Sequence, residues 1–161
     1  MMPDATVTLR NLCLSDLPIF FEQQLDPDAN YMAAFTAQDP TNEAAFRQHW
    51  QKIMSNEAVA IQTVVVGDDV AGYVVKHEAF GDPEVSYWIG KRFWGKGVAT
   101  EALRQFLGKV GIRPIYARIA FDNIASQRVL EKCHFHISSN DKGFAAARNA
   151  EILEIIYQRT K

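Results

Sequence analysis

Alternating and apolar stretches along the chain predict strands in its first half. Residues 7–10 alternate between apolar and polar side chains, which is the pattern of a half-buried strand. Residues 58–66 and 70–77 are rich in apolar and β-branched side chains and flank a Gly-Asp-Asp turn at positions 67–69, which predicts a hairpin. Residues 84–89 continue this pattern, so four strands are expected before residue 90.

Apolar residues spaced three or four apart predict helices between these strands. The first helix begins near Ser15, a residue type that caps helix starts, and is expected to end at the Asp-Pro-Asp sequence of residues 26–28. The second follows residues 39–41, and the clearest helix runs from residue 98 to Gly111. The apolar positions of the three helices are Leu17, Phe20, Phe21 and Leu25; Phe46, Trp50, Ile53 and Met54; and Ala99, Leu103, Phe106, Leu107 and Val110.

The last third of the chain again alternates strand and helix. A strand is expected at residues 115–121, a short helix at 124–132, and two strands at 134–138 and 151–158. The complete order is β-α-α-β-β-β-α-β-α-β-β, which predicts an α/β fold with a mixed sheet.

Composition narrows the classes of protein that fit this order. A length of 161 residues favours one domain, expected over residues 1–161, and a hydrophobic content of 48% excludes intrinsic disorder. The net charge of −2 argues against a nucleic-acid partner. No apolar stretch approaches the roughly 18 residues of a membrane helix, so an association with a membrane is not expected either. The N-terminus lacks a signal-peptide pattern, and Cys13 and Cys133 make no disulfide framework, so a cytoplasmic location is predicted.

The loop of residues 90–97, between a strand and a helix, carries the most chemical information. Backbone N–H groups at a helix start bind anions, and the helix dipole strengthens this binding. Gly95 and Gly97 leave the backbone open to a phosphate, and Arg92 and Lys96 add positive charge. The loop therefore predicts a phosphate cradle, with a ligand-free turn as the alternative.

Two nucleotide-binding motifs fit this loop incompletely. Residues 90–96 nearly form a P-loop, but Gly97 stands where a Ser or Thr should hold Mg²⁺. The dinucleotide-binding pattern lacks its third glycine because Thr100 stands there. A P-loop-like nucleotide hydrolase therefore remains a less favoured alternative.

Three motifs in order resemble the GNAT superfamily of N-acetyltransferases. Residues 92–97 resemble that family's Arg/Gln-x-x-Gly-x-Gly/Ala loop, and residues 123–135 resemble its Asn-x-x-Ser segment ending in Glu-Lys-x-Gly-Phe. Residues 87–103 are similar to the subgroup that contains ribosomal-protein N-terminal acetyltransferases. The resemblance implies a mixed, mostly antiparallel central sheet that is splayed at the cofactor site and flanked by helices on both faces.

The resemblance also implies a reaction and its partners. Acetyl-CoA is the expected co-substrate, and its acetyl group is expected to pass to a primary amine by direct attack in a ternary complex. The expected acceptor is a protein N-terminus or a small amine, and the motifs do not distinguish between the two. The protein itself is expected to be a monomer or a homodimer. A non-catalytic acyl-CoA sensor of the same fold is the first alternative.

The resemblance assigns the cofactor site residue by residue. In the family, the backbone of the strand before the loop binds the pantetheine arm, and one N–H polarises the thioester carbonyl. The loop and the helix start hold the pyrophosphate. The expected cofactor residues are Trp88, Ile89, Gly90, Arg92, Gly95, Lys96, Gly97, Val98, Ala99, Thr100, Asn123, Ser126 and Lys132. Helix capping is the alternative role for Asn123 and Ser126, and a solvated charge is the alternative for Lys132.

Glu84 and Ser126 are the expected catalytic residues. A matching glutamate is the general base in several family members, and an ammonium must lose a proton before it can attack. The alternative is a surface glutamate beside a turn, with Glu78 as a weaker rival for the base. Many members carry a tyrosine that protonates the leaving thiolate, but the spacing from Asn123 puts Leu130 there. Ser126 or a bound water is then expected to serve, with unassisted departure of the thiolate as the alternative.

Two further expectations concern a metal and the acceptor. His134 and His136 without a third ligand are a weak metal signal, so no metal site is expected. His134 replaces a family glycine, and if that glycine takes positive φ, a histidine there is strained. Acidic residues of the N-terminal region are expected to attract a cationic amine beside an apolar wall. These residues are Asp26, Asp28 and Asp39, and Tyr31, Met32 and Phe35, the last three with a core role as the alternative.

Overall fold

A seven-stranded sheet lies between helices on both of its faces in the computed structural model, which describes residues 6–161. The strands of this range are β1 (Val7–Arg10), β2 (Ala60–Val66), β3 (Asp69–Ala79), β4 (Asp82–Ile89), β5 (Ile115–Ala120), β6 (His136–Ala145) and β7 (Ala150–Arg159). The helices are α1 (Leu17–Gln24), α2 (Pro27–Ala33), α3 (Glu43–Ser55), α4 (Val98–Lys109) and α5 (Ile124–Lys132). None of these helices is long and apolar enough to span a membrane.

The sheet is mixed and splits at one place. Its order is β1-β2-β3-β4-β5-β7-β6, and every neighbouring pair is antiparallel except β4 and β5, which are parallel. A single register pair, Glu84 with Tyr116, joins β4 to β5, and the two strands separate toward their C-terminal ends. The predicted mixed, mostly antiparallel sheet with a splay is therefore confirmed.

Each face of the sheet carries its own apolar core. On the back face, α4 and α5 pack on the middle strands, with Leu103, Phe106 and Leu130 at most 1% exposed. On the front face, α1 and α3 contribute Phe20 and Trp50 to an aromatic cluster whose ring centroids lie 5.3 Å apart. Residues predicted to form helical stripes therefore supply both cores, because one side of each amphipathic helix must be buried.

Helix α2 was not predicted. The Asp-Pro-Asp sequence was expected to end a helix, and α1 does end just before it at Gln24. Asp26 also begins α2, since its carboxylate accepts a hydrogen bond from the N–H of Ala29 at 2.9 Å. Pro27 occupies the first helical position, where its missing N–H costs nothing. Aspartate followed by proline is compatible with both the end of one helix and the start of the next, and here it separates α1 from α2.

The C-terminal hairpin is longer than predicted. Strand β6 begins at His136, not at residue 134, because α5 ends in a turn in which His134 has a φ of 68°. In this turn, the N–H of Phe135 donates to the Leu130 carbonyl at 2.9 Å, a helix-ending arrangement that requires a left-handed residue. His134 thus takes the positive φ that was considered for the family glycine at this position. Most of β6 is exposed at the sheet edge, so it lacks the apolar alternation that would reveal its length.

Candidate active site

Two cavities adjoin where β4 and β5 split. One, of about 460 Å³, is lined by the glycine loop and the start of α4, and we call it the loop cavity. The other, of about 350 Å³, lies against α2 and α3, and we call it the front cavity. The residues that line both are Ala33, Tyr87, Trp88, Asn123 and Ser126. The split therefore brings two binding spaces together at one point of the sheet.

Most of the predicted cofactor residues line the loop cavity. They are Trp88, Ile89, Gly95, Gly97, Val98, Ala99, Thr100, Asn123, Ser126 and Lys132. Gly90, Arg92 and Lys96 do not line it. The Arg92 guanidinium instead contacts Asp69, with Nη2 2.8 Å from Oδ2, and these side chains are 68% and 63% exposed. An ion pair this exposed is weak, so Arg92 is not fixed in place by it.

The start of α4 presents free backbone donors to the loop cavity. The N–H of Glu101 donates to the Gly97 carbonyl at 3.1 Å as the first bond of the helix, so the N–H groups of residues 98–100 have no partner within it. Gly95 and Gly97 have φ values of 72° and 75°, and a Cβ at either position would meet no atom within 4 Å. Open backbone donors at the positive end of a helix dipole suit a phosphate group.

The end of β4 directs one backbone donor into the split. The N–H of Gly90 donates to the Ala71 carbonyl of β3 at 2.8 Å. Because backbone groups of successive strand residues point to opposite sides, the N–H of Ile89 faces away from β3 and toward β5. The Ile89 carbonyl accepts from Trp94 Nε1 at 2.8 Å. Of the three backbone positions predicted to bind the cofactor arm, Ile89 is therefore the one whose donor faces the split.

A buried indole donor also lies beside the split. The Nε1–H of Trp88, a residue that lines both cavities, is buried and has no hydrogen-bond partner among residues 6–161. Unpartnered buried donors are rare in folded proteins because leaving one unsatisfied costs free energy. This donor fits a ligand oxygen entering at the split.

A pair of hydroxyl groups links β4 to α5 between the cavities. Tyr87 and Ser126 form a hydrogen bond of 2.9 Å between Oη and Oγ. Burial raises the pKa of Tyr87 to about 12, so it stays protonated at neutral pH. The N–H of Ser126 donates to Asn123 Oδ1 at 3.2 Å, so Asn123 does cap α5. Leu130 is 1% exposed and lines the front cavity with its apolar side chain.

Sequence reasoning missed Tyr87 as a polar group of the site. Its position in a strand, beside apolar neighbours, is also typical of a core aromatic residue. The alternation of β4 places Tyr87 on the same face as Ile89, but only the packing of α5 against this strand brings Ser126 to its hydroxyl.

Glu84 lies in an ion-pair cluster on the front face of the sheet. It is 6% exposed, and its Oε2 accepts from Arg118 Nε at 2.8 Å, so it is not the surface residue considered as its alternative. Arg118 Nη1 donates to Glu154 Oε1 at 3.1 Å and lies 3.7 Å from Asp141 Oδ2. Arg118 and Glu154 line the front cavity, whereas Glu84 does not. The base role of Glu84 stays a prediction.

The acidic residues expected to attract the acceptor lie outside both cavities. Asp26 and Asp28 face Lys91, and Asp39 accepts hydrogen bonds from the backbone and hydroxyl of Thr41. Each of these carboxylates is already partnered at the surface, and their attraction for an amine stays a prediction. The acidic residue that does line the front cavity is Glu154, which sequence reasoning missed.

The three apolar residues expected beside the acceptor divide between different places. Phe35 lines the front cavity and Met32 lines the loop cavity. Tyr31 is 54% exposed and packs under the Arg148 guanidinium, 3.9 Å from the ring centroid. Only Phe35 therefore meets the expectation of an acceptor wall.

Three other candidate groups lie away from the cavities. Glu78, the rival base, pairs with Lys76 at 3.1 Å and its side chain is 50% exposed. Cys13 is exposed, and Cys133 is buried with a pKa raised by that burial. Residues 6–161 contain no group of three or more His, Cys, Asp or Glu side chains arranged to hold a metal ion.

Comparison with known proteins gives a family and a fold. Residues 6–136 match the acetyltransferase (GNAT) domain. RimL, an alpha-N-protein acetyltransferase solved with coenzyme A, is 19% identical with a TM-score of 0.81, covering 98% of this chain and 95% of that chain. Mycobacterium smegmatis RimJ, solved with CoA-disulfide, is 17% identical with a TM-score of 0.82, covering 97% and 82%.

A third similar structure combines two ligands. The microcin C7 self-immunity acetyltransferase MccE, solved with acetyl-CoA and AMP, is 19% identical with a TM-score of 0.78, covering 99% of this chain and 94% of that chain. No curated protein matches the sequence. The structural likeness agrees with the splayed sheet, and the domain match spans most of the chain. The protein therefore belongs to the GNAT acetyltransferase family, as its three motifs predicted.

Proposed function

We propose that this protein transfers the acetyl group of acetyl-CoA to a primary amine, either a protein N-terminus or a small molecule. The observation that carries the proposal is the meeting of two cavities at the split, one with a phosphate cradle and the other with a carboxylate. Three proteins of similar fold were solved with CoA or acetyl-CoA, which supports the same co-substrate here.

The loop cavity supplies the groups that would hold acetyl-CoA. The N–H groups of residues 98–100 and the Lys132 ammonium suit the pyrophosphate, with Arg92 and Lys96 close by on the loop. The Ile89 N–H faces the gap between β4 and β5, where it would bind the thioester oxygen and stabilise negative charge on it. When bound, acetyl-CoA supplies the activated acetyl group.

Ser126 and Tyr87 handle the proton of the leaving group. The Ser126 hydroxyl would donate a proton to the departing sulfur, and the Tyr87 hydroxyl, 2.9 Å away, would replace it. Tyr87 thus offers from β4 the phenol that Leu130 cannot supply from α5. A proton donor must stay protonated until it acts, and burial of Tyr87 ensures this.

Direct attack by the amine is favoured over a covalent acyl-enzyme. An acyl-cysteine would need a reactive thiolate at the split, but neither Cys13 nor Cys133 lines either cavity. Burial raises the pKa of Cys133 and keeps it as the thiol. The adjoining cavities instead allow both substrates to be bound at once.

Ligand-dependent stability tests the cofactor half of the proposal. Acetyl-CoA should raise the Tm of the protein by mass action, whereas ATP with Mg²⁺ should not, because the loop lacks the hydroxyl that holds Mg²⁺. Stabilisation by ATP with Mg²⁺ alone would favour the nucleotide hydrolase instead.

A glycine substitution tests the cradle itself. Gly97→Val places a branched side chain over the donors, so acetyl-CoA affinity should fall by about 1–3 kcal/mol. Gly67→Val is the matched control, since Gly67 also has positive φ and open space around it but lies in the β2–β3 turn. Equal acetyl-CoA affinities of the two variants, measured by calorimetry, would contradict the cradle.

A further inference from the structure

We infer that Glu154 is the carboxylate that binds the acceptor ammonium and takes its proton, and that the acceptor is a primary amine without a carboxylate beside it. The inference rests on the proposed acetyl transfer and assigns the acceptor half of the same site. It also separates Glu154 from Glu84, the base expected from the sequence.

Sheet register places Glu154 on β7, one strand beyond the split and level with its open end, and places Glu84 where β4 and β5 still pair. Glu154 pairs with Ala120 at the C-terminal end of β5, where β5 has already separated from β4. Glu84 pairs with Tyr116, four residues earlier along β5, a distance of about 13 Å along a strand. The thioester is expected beside Ile89 at the C-terminal end of β4. Measured along the strands, Glu154 lies at the same height as this end of β4, whereas Glu84 lies near its other end.

The Glu154 carboxylate keeps one oxygen for a ligand. Its Oε1 accepts from Arg118, and Oε2 has no hydrogen-bond partner within the described part of the chain. The side chain is 15% exposed and lines the front cavity. Burial raises the pKa of Glu154, which makes it a better proton acceptor than an ordinary surface glutamate.

The charges of the front cavity select against a carboxylate on the acceptor. Arg118 already faces Glu84 at 2.8 Å, Glu154 at 3.1 Å and Asp141 at 3.7 Å, so one cation is shared by three anions. His49 also lines the cavity, and burial lowers its pKa, which keeps it neutral. A free amino acid would bring its carboxylate to Glu154 without a spare cation to offset the repulsion.

The rest of the front cavity suits an uncharged, partly apolar group. Phe35, Trp50 and Tyr73 supply aromatic walls, and Asn30 and Gln24 supply amides. A volume of about 350 Å³ holds a small amine or the first residues of a peptide. The chemistry of the cavity therefore fits an alkyl amine or a peptide N-terminus whose own carboxyl group is an amide or is absent.

The reaction balances with these groups. Glu154 removes one proton from the ammonium, and the nitrogen lone pair forms the C–N bond to the acetyl carbon while the C–S bond breaks. Ser126 gives its proton to the sulfur and regains one from Tyr87, and the second nitrogen proton reprotonates Tyr87 through solvent. The net products are the acetylated amine, free CoA thiol and one proton, which Glu154 releases to solvent.

Charge-removing variants on one strand test the role of Glu154. Glu154→Gln should lower kcat/KM for the amine by about 10²–10⁴ and leave the Kd of acetyl-CoA unchanged. Glu151→Gln removes an equal charge from an exposed position of β7 and should act like the parent protein. If Glu154→Gln fails to fold, Glu154→Asp is the second variant. Its shorter side chain keeps the negative charge but moves it away from the cavity, so kcat should fall while KM stays unchanged. Normal turnover in either Glu154 variant overturns the assignment.

A pair of acceptors tests the second half of the inference. Alanine and alaninol share a skeleton and have ammonium groups of similar pKa, but only alanine carries a carboxylate. The parent protein should use alaninol, or an alanyl dipeptide amide, at least about tenfold better than alanine. Equal use of alanine overturns the acceptor class. Amine-dependent thiol release at the parent rate in Glu154→Gln refutes this inference alone, whereas the absence of such release with every amine in the parent protein refutes the proposed function too.

Discussion

Two carboxylates, one buried and one half-buried, are each bound by an arginine but have opposite kinds of surroundings. Asp16, at the corner between β1 and α1, is 1% exposed and accepts from both terminal nitrogens of Arg10 at 2.8 Å. It also accepts from the N–H of Cys13 at 2.9 Å and the hydroxyl of Thr63 at 2.8 Å. Glu154 accepts one bond from a shared arginine and turns toward a cavity.

The pKa values of the two groups shift in opposite directions. Burial alone would raise the pKa of Asp16, but hydrogen bonds from Arg10, Cys13 and Thr63 outweigh it and lower the pKa. Burial raises the pKa of Glu154, and Arg118 only partly offsets this. A fully bonded carboxylate stabilises the fold, whereas an incompletely bonded one beside a cavity is available for chemistry.

Removing the structural carboxylate should have the largest effect on stability. Asp16→Asn leaves Arg10 without its counter-ion and turns one acceptor into a donor, so the free energy of unfolding should fall by about 3 kcal/mol. Urea unfolding measures this loss, and kcat of the folded protein should stay unchanged. A loss below about 1 kcal/mol would mean that the two carboxylates do not differ as described.

Removing the Tyr87 hydroxyl, which donates to Ser126, should lower the catalytic rate and leave the stability of the fold largely unchanged. Tyr87→Phe deletes a hydrogen bond but keeps the ring, so kcat should fall about tenfold with an unchanged Kd for acetyl-CoA. Tyr157→Phe, in the back core, is the control for loss of a buried phenol. The double variant with Ser126→Ala should lose no more than Ser126→Ala alone, since the groups act in series. Additive losses would separate Tyr87 from Ser126.

A substitution at Glu84 tests whether Glu154 or Glu84 is the base. Both glutamates contact Arg118, but Glu84 lines neither cavity. Glu84→Gln should lower kcat/KM by less than tenfold, because it changes only how Arg118 is held. The pH profile of kcat/KM should keep its shape in this variant. A loss as large as that in Glu154→Gln would instead place the base at Glu84, as the sequence suggests.

The pH dependence of stability should have opposite signs at Asp16 and Glu154, with shifts of a few degrees at most. The pKa of Glu154 is raised in the folded state, so this group stabilises the fold at pH values below its unfolded pKa of about 4.3. That contribution is lost as the pH rises through the folded pKa. The Tm of the parent protein relative to Glu154→Gln should therefore increase as pH falls from 7 to 4.

At Asp16 the lowered folded pKa gives the reverse sign. Its contribution is complete above the unfolded value of about 3.9 and is lost as pH falls through the folded pKa. The Tm of the parent protein relative to Asp16→Asn should hold down to about pH 4 and decline below it. Shifts of the same sign for both variants would contradict the comparison.

The sequence could predict the loop cavity far better than the front cavity. The glycine loop, the start of α4 and the Asn123–Ser126 segment lie within short motifs, so local spacing was enough to find them. Arg118 lies 34 residues from Glu84 and 36 from Glu154, and only the sheet register brings the three together. Helix α2 was missed because its Asp-Pro start also resembles a stop.

Initial-rate kinetics with both substrates varied distinguish acetyl transfer to an amine from cofactor binding alone. Free thiol release is measured while acetyl-CoA and a primary amine such as alaninol or an alanyl dipeptide amide are varied together, with the acetylated amine quantified alongside. We expect thiol and acetylated amine in equal amounts, and intersecting double-reciprocal lines because both substrates occupy the site at once. Acetyl-CoA binding without amine-dependent thiol release would identify a sensor, and parallel lines would indicate a covalent acyl-enzyme; either result would contradict direct acetyl transfer to the amine.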